Sequence, residues 1–314
     1  MMKENGYHMP RIQLRILFAV MLFCLFLILS VASPTLAQNV TIESFNEAKK
    51  LAAKVFAGHE TTFYCGCSYT GKDIDLTSCG YKPKKDATRA KHLEWEHVVP
   101  AHAFGQAFKE WRDGDPDCVD SKGRPFKGRN CARKMVKLFR FMEADLFNLQ
   151  PAIGEVNGLR SNFSMEMIPG EKREFGDCDI EIENNKVEPR PEIRGDIART
   201  YMYIDKAYPG KGIISQSNRK LFEAWDKLDP INDWERERAR RIEAIQGNKN
   251  PFILAGAIDT ATMPNAPIIG NRKSKIYHRL DCPGYDQVSS ENRVPFMSEQ
   301  EAQAGGYRLA GNCP

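Results

Sequence analysis

Net charge is what this sequence has little of: 45 lysines and arginines against 41 aspartates and glutamates leave only +4 over 314 residues. Bulk charge of that size does not mark a nucleic-acid binder, although it leaves room for a local patch. No internal repeat recurs along the chain, so a repeat architecture is not expected. Histidine is scarce, six in all, and the zinc-protease pattern HExxH is never completed. His59-Glu60 begins it, but Phe63 stands where the second histidine belongs. His97 and His102 are five apart, Pro100 lies between them, and no glutamate follows His97. Cys65-Gly66-Cys67 has one intervening residue, not the two of a redox or zinc-knuckle pair.

What the chain does have begins at its N-terminus. Lys3, Arg11 and Arg15 precede the apolar run ILFAVMLFCLFLILSVA, and SPTLAQ follows it. This is the order of an export signal, with cleavage expected after Ala37. The run is long for a signal peptide, so an uncleaved membrane anchor is the alternative. Cys24 within it is an ordinary apolar residue, because bulky Phe23 spoils a lipobox. Eight cysteines remain, an even set in an exported chain, and they are expected to form disulfides. Cys118–Cys131 is the expected local pair, closing a loop rich in Gly, Asp and Lys.

Ser44 and Glu47 of SFNE offer a capping box for a helix running to Gly58. Residues 59–92 are expected to be loops and short strands stapled by disulfides. NRKLFEAWDKL and DWERERARRIEAIQG have helical spacing, with Pro230 between them and Gly247 as a stop. The expected plan is a signal over 1–37, a catalytic domain over 38–253, a Pro-containing linker of small residues over 254–269, and a small module over 270–314.

HLEWEHVVPAHAFG, residues 92–105, concentrates two glutamates and three histidines. Phosphodiester hydrolysis needs a base for water, a cation at the phosphate and leaving oxygen, and a cationic side chain. Histidine suits the base, and a hard cation takes carboxylate and amide oxygens. Glu96 and His97 are neighbours, so a regular strand would point them to opposite faces. They serve one phosphate only if the strand ends or bends there, which Pro100 favours.

EWEHVVPAHAFG, GRNC, MEADLFNLQPAIGEVNGLRSNF and YCGC…SCGY together resemble the endonuclease I family of periplasmic and secreted nonspecific nucleases. The resemblance spans about residues 45–252 and includes RGDIARTYMY, LFEAWDKLDPINDWE and IQGNKNP. It implies an α+β, largely helical domain built around a ββα-metal (His-Me) finger. It further implies cleavage of DNA and RNA to 5′-phosphate products, with one Mg²⁺, or Ca²⁺ or Mn²⁺ in its place. His97 then corresponds to the general base, Glu96 and Asn157 to the cation ligands, and Arg129 to the phosphate-binding arginine. Glu94, Glu143 and Asn148 match supporting positions. Pro151 is expected at the first position of the helix carrying Asn157, two turns in. Gly154 and Gly158 would give that helix a bare face against the strand of Glu96. The segment DGDPDCVDSKGRPFKGRNC is longer than the family pattern, which leaves Arg124 as a rival to Arg129 and lets Cys118 replace a cysteine expected near Glu110. His102 stands where the family often has tryptophan.

Lys127, Arg129, Arg133, Lys134, Lys137 and Arg140 form a basic cluster; solvated charge is the usual reading of such a run, and beside a phosphodiesterase finger it also fits a backbone-binding stripe. The tail resembles the small metal-binding module of the Ada DNA-repair proteins. His278, Cys282 and Cys313 fall on three ligand positions and Ala310 on the fourth, so Zn²⁺ and a Cys282–Cys313 disulfide are both open, the disulfide being simpler. The expected protein is a periplasmic or secreted monomeric nuclease with no stable protein partner. The alternative is a noncatalytic envelope protein that binds nucleic acid through the tail.

Overall fold

Ser44 opens the first helix as the capping pattern predicts, its hydroxyl accepting from the Glu47 amide. Helix α1 (Phe45–Val55) buries Ala48, Ala52 and Val55 on one face and ends three residues short of Gly58. The computed structural model describes residues 38–170, 172–253, 267–289, 292–296 and 299–313. The expected signal, 1–37, and most of the expected linker, 254–266, lie outside the described residues.

After α1 the chain has little regular structure, and covalent bonds hold it. The short hairpin β1 (Tyr69–Thr70) and β2 (Asp73–Ile74) is flanked by Cys67–Cys79. Cys65–Cys178 ties the same segment to a residue 113 positions away. Closing loops of such length restricts the unfolded chain and stabilises the fold by typically about 2–4 kcal/mol per bond. The expected Cys118–Cys131 pair is present.

Helix α2 (Ala87–Ala90) leads into β3 (Leu93–His97), which pairs antiparallel with β4 (Leu149–Ile153). Helix α7 follows β4 directly, over Gly154–Arg160. Between the two strands lie α3 (Ala101–Gly105), α4 (Lys109–Arg112), α5 (Arg129–Met135) and α6 (Lys137–Glu143). Pro151 is therefore a strand residue opposite Trp95, not the first residue of the helix. Its carbonyl accepts from the Phe63 amide, outside the ladder. Because N–H and C=O of one strand residue point to the same edge, the missing proline N–H removes no bond to β3. Asn157 is consequently the fourth residue of α7, one turn in.

The glycines of α7 do provide a bare face, but against a different neighbour. A Cβ at Gly154 would sit 2.7 Å from the Arg89 carbonyl oxygen and 2.9 Å from that of His92. A Cβ at Gly158 would meet the Arg89 guanidinium. The close approach is thus to α2 and the start of β3.

A three-stranded sheet in the order β5 (Ser164–Met165), β7 (Lys186–Pro189), β6 (Ile180–Glu183) and three long helices complete the α+β fold. Helices α8 (Arg194–Ala207), α9 (Gln216–Leu228) and α10 (Asp233–Gln246) share one hydrophobic core with α1 and β4. Gly247 caps α10 at φ 84°, where glycine is favoured. From α10, buried Arg238 donates to the carbonyls of Leu146, Phe147 and Leu149 and braces the start of β4.

The tail has its own small core, including Ile268, Tyr277, Phe296 and Tyr307. Its sheet runs β10 (Arg293–Phe296), β8 (Ile268–Asn271), β9 (Ile276–Arg279), β11 (Arg308–Leu309), with α11 over Glu299–Ala304. β8 begins two residues before the expected tail boundary at 270. Cys282 and Cys313 are joined, so of the two open readings the disulfide holds and neither sulfur is a thiolate for zinc.

Two outcomes follow. Gly154→Ala is expected to lower stability by about 1–3 kcal/mol, because the Cβ meets backbone that cannot step aside; a loss under about 0.5 kcal/mol in urea denaturation would contradict that packing. Protein purified under oxidising conditions is expected to carry no stoichiometric zinc in the tail, and elemental analysis showing near-equimolar zinc would reject the disulfide.

Candidate active site

Strand β3 stops at His97 because Asn148 ends it. The Val98 amide donates to the Asn148 carbonyl, the Val99 amide donates to Asn148 Oδ1 at 2.7 Å, and Asn148 Nδ2 returns a bond to the Val99 carbonyl. Asn148 is wholly buried. The neighbours Glu96 and His97 consequently both line one cleft of about 1280 Å³. Glu94, Arg129 and Asn157 line it too, whereas Glu143 and Asn148 stand behind it.

His97 Nε2 lies 2.8 Å from the Glu143 carbonyl oxygen. A carbonyl only accepts, so Nε2 carries the hydrogen and neutral His97 keeps its lone pair on Nδ1. Burial and the nearby Arg129 charge pull the imidazole down to about 4, so the base form prevails at neutral pH. The Phe45 ring packs on the imidazole at 4.8 Å between centroids.

Glu96 is buried on β3. Its Oε1 accepts from Tyr64 Oη at 2.9 Å and pairs with Arg160 Nη1 at 3.2 Å. Burial pushes this carboxyl up, against the pull of Arg160 and Tyr64. Arg160 is itself fully buried and also donates to the carbonyls of His97 and Val98. Glu94 receives two bonds from Arg89 and one, at 2.8 Å, from Asn157 Nδ2. That bond uses the amide nitrogen of Asn157 and so leaves the oxygen, the atom a hard cation takes, for another partner.

Glu143 reaches the site twice. Its backbone carbonyl orients His97, and its carboxylate holds both Arg129 and Arg133. Burial opposes its ionisation, but the two guanidiniums prevail and hold the carboxyl below the usual range. Arg129 Nη2 is buried without a hydrogen-bond partner, an unmet donor at the cleft. The rival Arg124 is exposed and pairs with Asp120, away from the cleft. His102 lines the cleft from an exposed position, its ring set edge-on to Trp111, while exposed His92 stays outside.

The donor set suits one hard cation. Glu96 offers carboxylate and Asn157 an amide oxygen at one cleft, leaving most of a coordination shell to water and substrate. Among the described residues no group of three or more His, Cys, Asp and Glu converges as a protein cage.

The sequence model of the Endonuclease I family matches residues 37–256. The chain belongs to that family. An extracellular deoxyribonuclease of Aeromonas hydrophila is 43% identical over 239 residues, covering 74% of this chain and 96% of that protein. A periplasmic deoxyribonuclease of the same organism is 42% identical over 239 residues, with 74% and 93% covered. Endonuclease-1 of Buchnera aphidicola from Acyrthosiphon pisum is 41% identical over 219 residues, with 68% and 81% covered. The family match stops before the tail, which begins at 267 among the described residues.

Three residues of this Endonuclease I site escape sequence reasoning: Phe45, Tyr64 and Arg160. Only Arg160 leaves a local signal, since it follows Asn157 by three residues on α7. Tyr64 and Phe45 meet the site through contacts 32 and 52 residues away along the chain.

In long-range ¹⁵N spectra of the cation-free protein near pH 6, His97 is expected as the neutral Nε2–H tautomer, titrating at about 4. Arg129→Gln removes a charge that lowers this pKa, so the titration should move upward. A wild-type His97 that titrates at the ordinary 6.5, or a downward move in the variant, would contradict the assigned environment.

Proposed function

We propose that this member of the Endonuclease I family is a metal-dependent, sequence-nonspecific endonuclease that hydrolyses DNA and RNA to 5′-phosphate products. The observation that carries the reading is a buried histidine, locked with Nδ1 as its basic nitrogen, in one cleft with Glu96, Asn157 and the unmet donor of Arg129. A noncatalytic binder has no use for such a base.

In this reading β3, β4 and α7 form the ββα-metal finger. His97 Nδ1 takes a proton from water, and the hydroxide attacks phosphorus in line with the 3′ oxygen. Arg129 Nη2 donates to a non-bridging phosphate oxygen as its charge grows. The bond from phosphorus to the 3′ oxygen breaks, that oxygen takes up a proton, and the phosphate stays on the 5′ side. Glu96 and Asn157 would hold one divalent cation, Mg²⁺ with Ca²⁺ or Mn²⁺ as substitutes, which would supply positive charge to stabilise the transition state. Tyr64 and Arg160 hold Glu96, Glu94 orients Asn157, and Glu143 positions both His97 and Arg129.

The protein is periplasmic or secreted. All eight cysteines outside the N-terminal segment are in disulfides, which persist in oxidising compartments, and relatives are named extracellular and periplasmic deoxyribonucleases. We take the protein to act as a monomer, and read the tail as an Ada-like module in which a disulfide stands in place of metal.

A plasmid-nicking assay tests the reading. Mg²⁺ should support cleavage, EDTA should abolish it, and His97→Ala should slow it about 10²–10⁴-fold, the usual worth of a general base. Plasmid left intact with Mg²⁺, Mn²⁺ and Ca²⁺ alike would return the chain to a noncatalytic binder. Full activity in His97→Ala would keep the nuclease and discard this mechanism.

A further inference from the structure

Six cationic side chains line the cleft: Lys49, Lys50, Lys72, Arg89, Arg129 and Arg160. The three arginines are each paired, with Glu94, Glu143 and Glu96. Lys49, Lys50 and Lys72 enter no ion pair among the described residues. The basic cluster over 127–140 differs in another way: its arginines are paired, and its lysines, though in no ion pair among the described residues, do not line the cleft. Arg133 is on Glu143, Arg140 is on Glu43, and Lys134 donates to the Asp117 carbonyl. Lys137 lies over the Phe141 ring, and Arg129 alone of the cluster faces the cleft.

The free charges also lie in order. Phe45, the first residue of α1, touches the His97 ring, and the Arg129 guanidinium lies 5.4 Å from its centroid. One turn along, Lys49 Nζ lies 4.9 Å from the same ring. Lys50 is next, and with Lys54 it continues into a shallow groove that Ser44, Asn46 and Glu47 also line. At about 1.5 Å of rise per residue, Phe45 to Lys54 spans roughly 14 Å, long enough for more than one phosphate of a strand. Lys72, on the turn between β1 and β2, is exposed on another wall of the cleft.

We propose that the substrate's phosphate backbone runs along α1, held by Lys49 and Lys50 with Lys72 from the cleft's other wall, and that the 127–140 cluster does not carry it. This rests on the nuclease reading and adds the strand's path to it. Ammonium groups on flexible stems act as point charges on phosphate, and contacts of that kind carry no base information, which fits cleavage without sequence preference.

The test is equilibrium binding of the His97→Ala protein to a short DNA without divalent cation, followed by fluorescence anisotropy over a range of salt. Lys49→Gln, Lys50→Gln and Lys72→Gln should each make the slope of log K against log salt shallower by about 0.7–0.9, and the triple variant by about three times that. The triple Lys127→Gln, Lys134→Gln, Lys137→Gln should leave the slope unchanged. An unchanged slope in the cleft triple, or an equal loss in the cluster triple, overturns the proposed path. Plasmid cleavage by each variant with His97 intact separates the two levels. If the wild-type protein cleaves but the slope does not change, the path alone is rejected; if the slope changes but the wild-type protein does not cleave, the nuclease reading alone is rejected.

Discussion

The ion pair between Arg160 and Glu96 is the contact on which the site's geometry depends. Both groups are buried, at 0% and 3% exposure, where an unpartnered charge is costly and removing one partner of a pair typically loses about 3–5 kcal/mol. Arg160 avoids that penalty by also meeting the carbonyls that end β3, those of His97 and Val98. Since Arg160 is the last residue of α7, one guanidinium sets the spacing between the helix that carries Asn157 and the strand that carries Glu96 and His97. A hydrophobic residue there could fill the volume but could not specify the distance.

Glu143 plays the matching part on the other side. Its carbonyl selects the histidine tautomer while its carboxylate holds two arginines, so His97 and Arg129 are positioned by one residue. The coupling runs through charge as well as geometry. Arg129 depresses the basicity of His97, which keeps the imidazole neutral and able to accept, at the expense of proton-abstracting strength. A phosphate bound at Arg129 would return some of that strength by offsetting the arginine's charge, so substrate binding itself favours the base.

How much of this was legible in the sequence follows from contact range. α9 and α10 were readable from apolar spacing and caps, and Cys118–Cys131 from its short loop, because each is decided by neighbours along the chain. Glu96, His97, Asn157 and Arg129 are legible as a set of ordered motifs, and the structure brings them to one cleft. Tyr64 was not legible, and Arg160 only through its spacing from Asn157, since their site contacts bridge 32 and 64 residues. Pro151 misled because a proline before a helical pattern suggests a helix start, yet a two-stranded sheet has free edges that accept it equally well. The basic cluster shows a related limit: composition counts charges, and only the fold shows that its arginines are paired with carboxylates.

That last distinction explains how a chain of net charge +4 can engage a polyanion. Arginines near the site are held by carboxylates in fixed positions, so they shape the site and contribute little net attraction at a distance. Lysines that have no carboxylate partner keep their full charge at the cleft, and a concave wall concentrates that field where the substrate must lie. On the proposed path, local asymmetry of pairing and not total charge sets where a strand settles. Because the unpaired charges begin one turn from the Phe45 ring that packs on His97, a backbone drawn to them is delivered beside the base without any base of the nucleic acid being read.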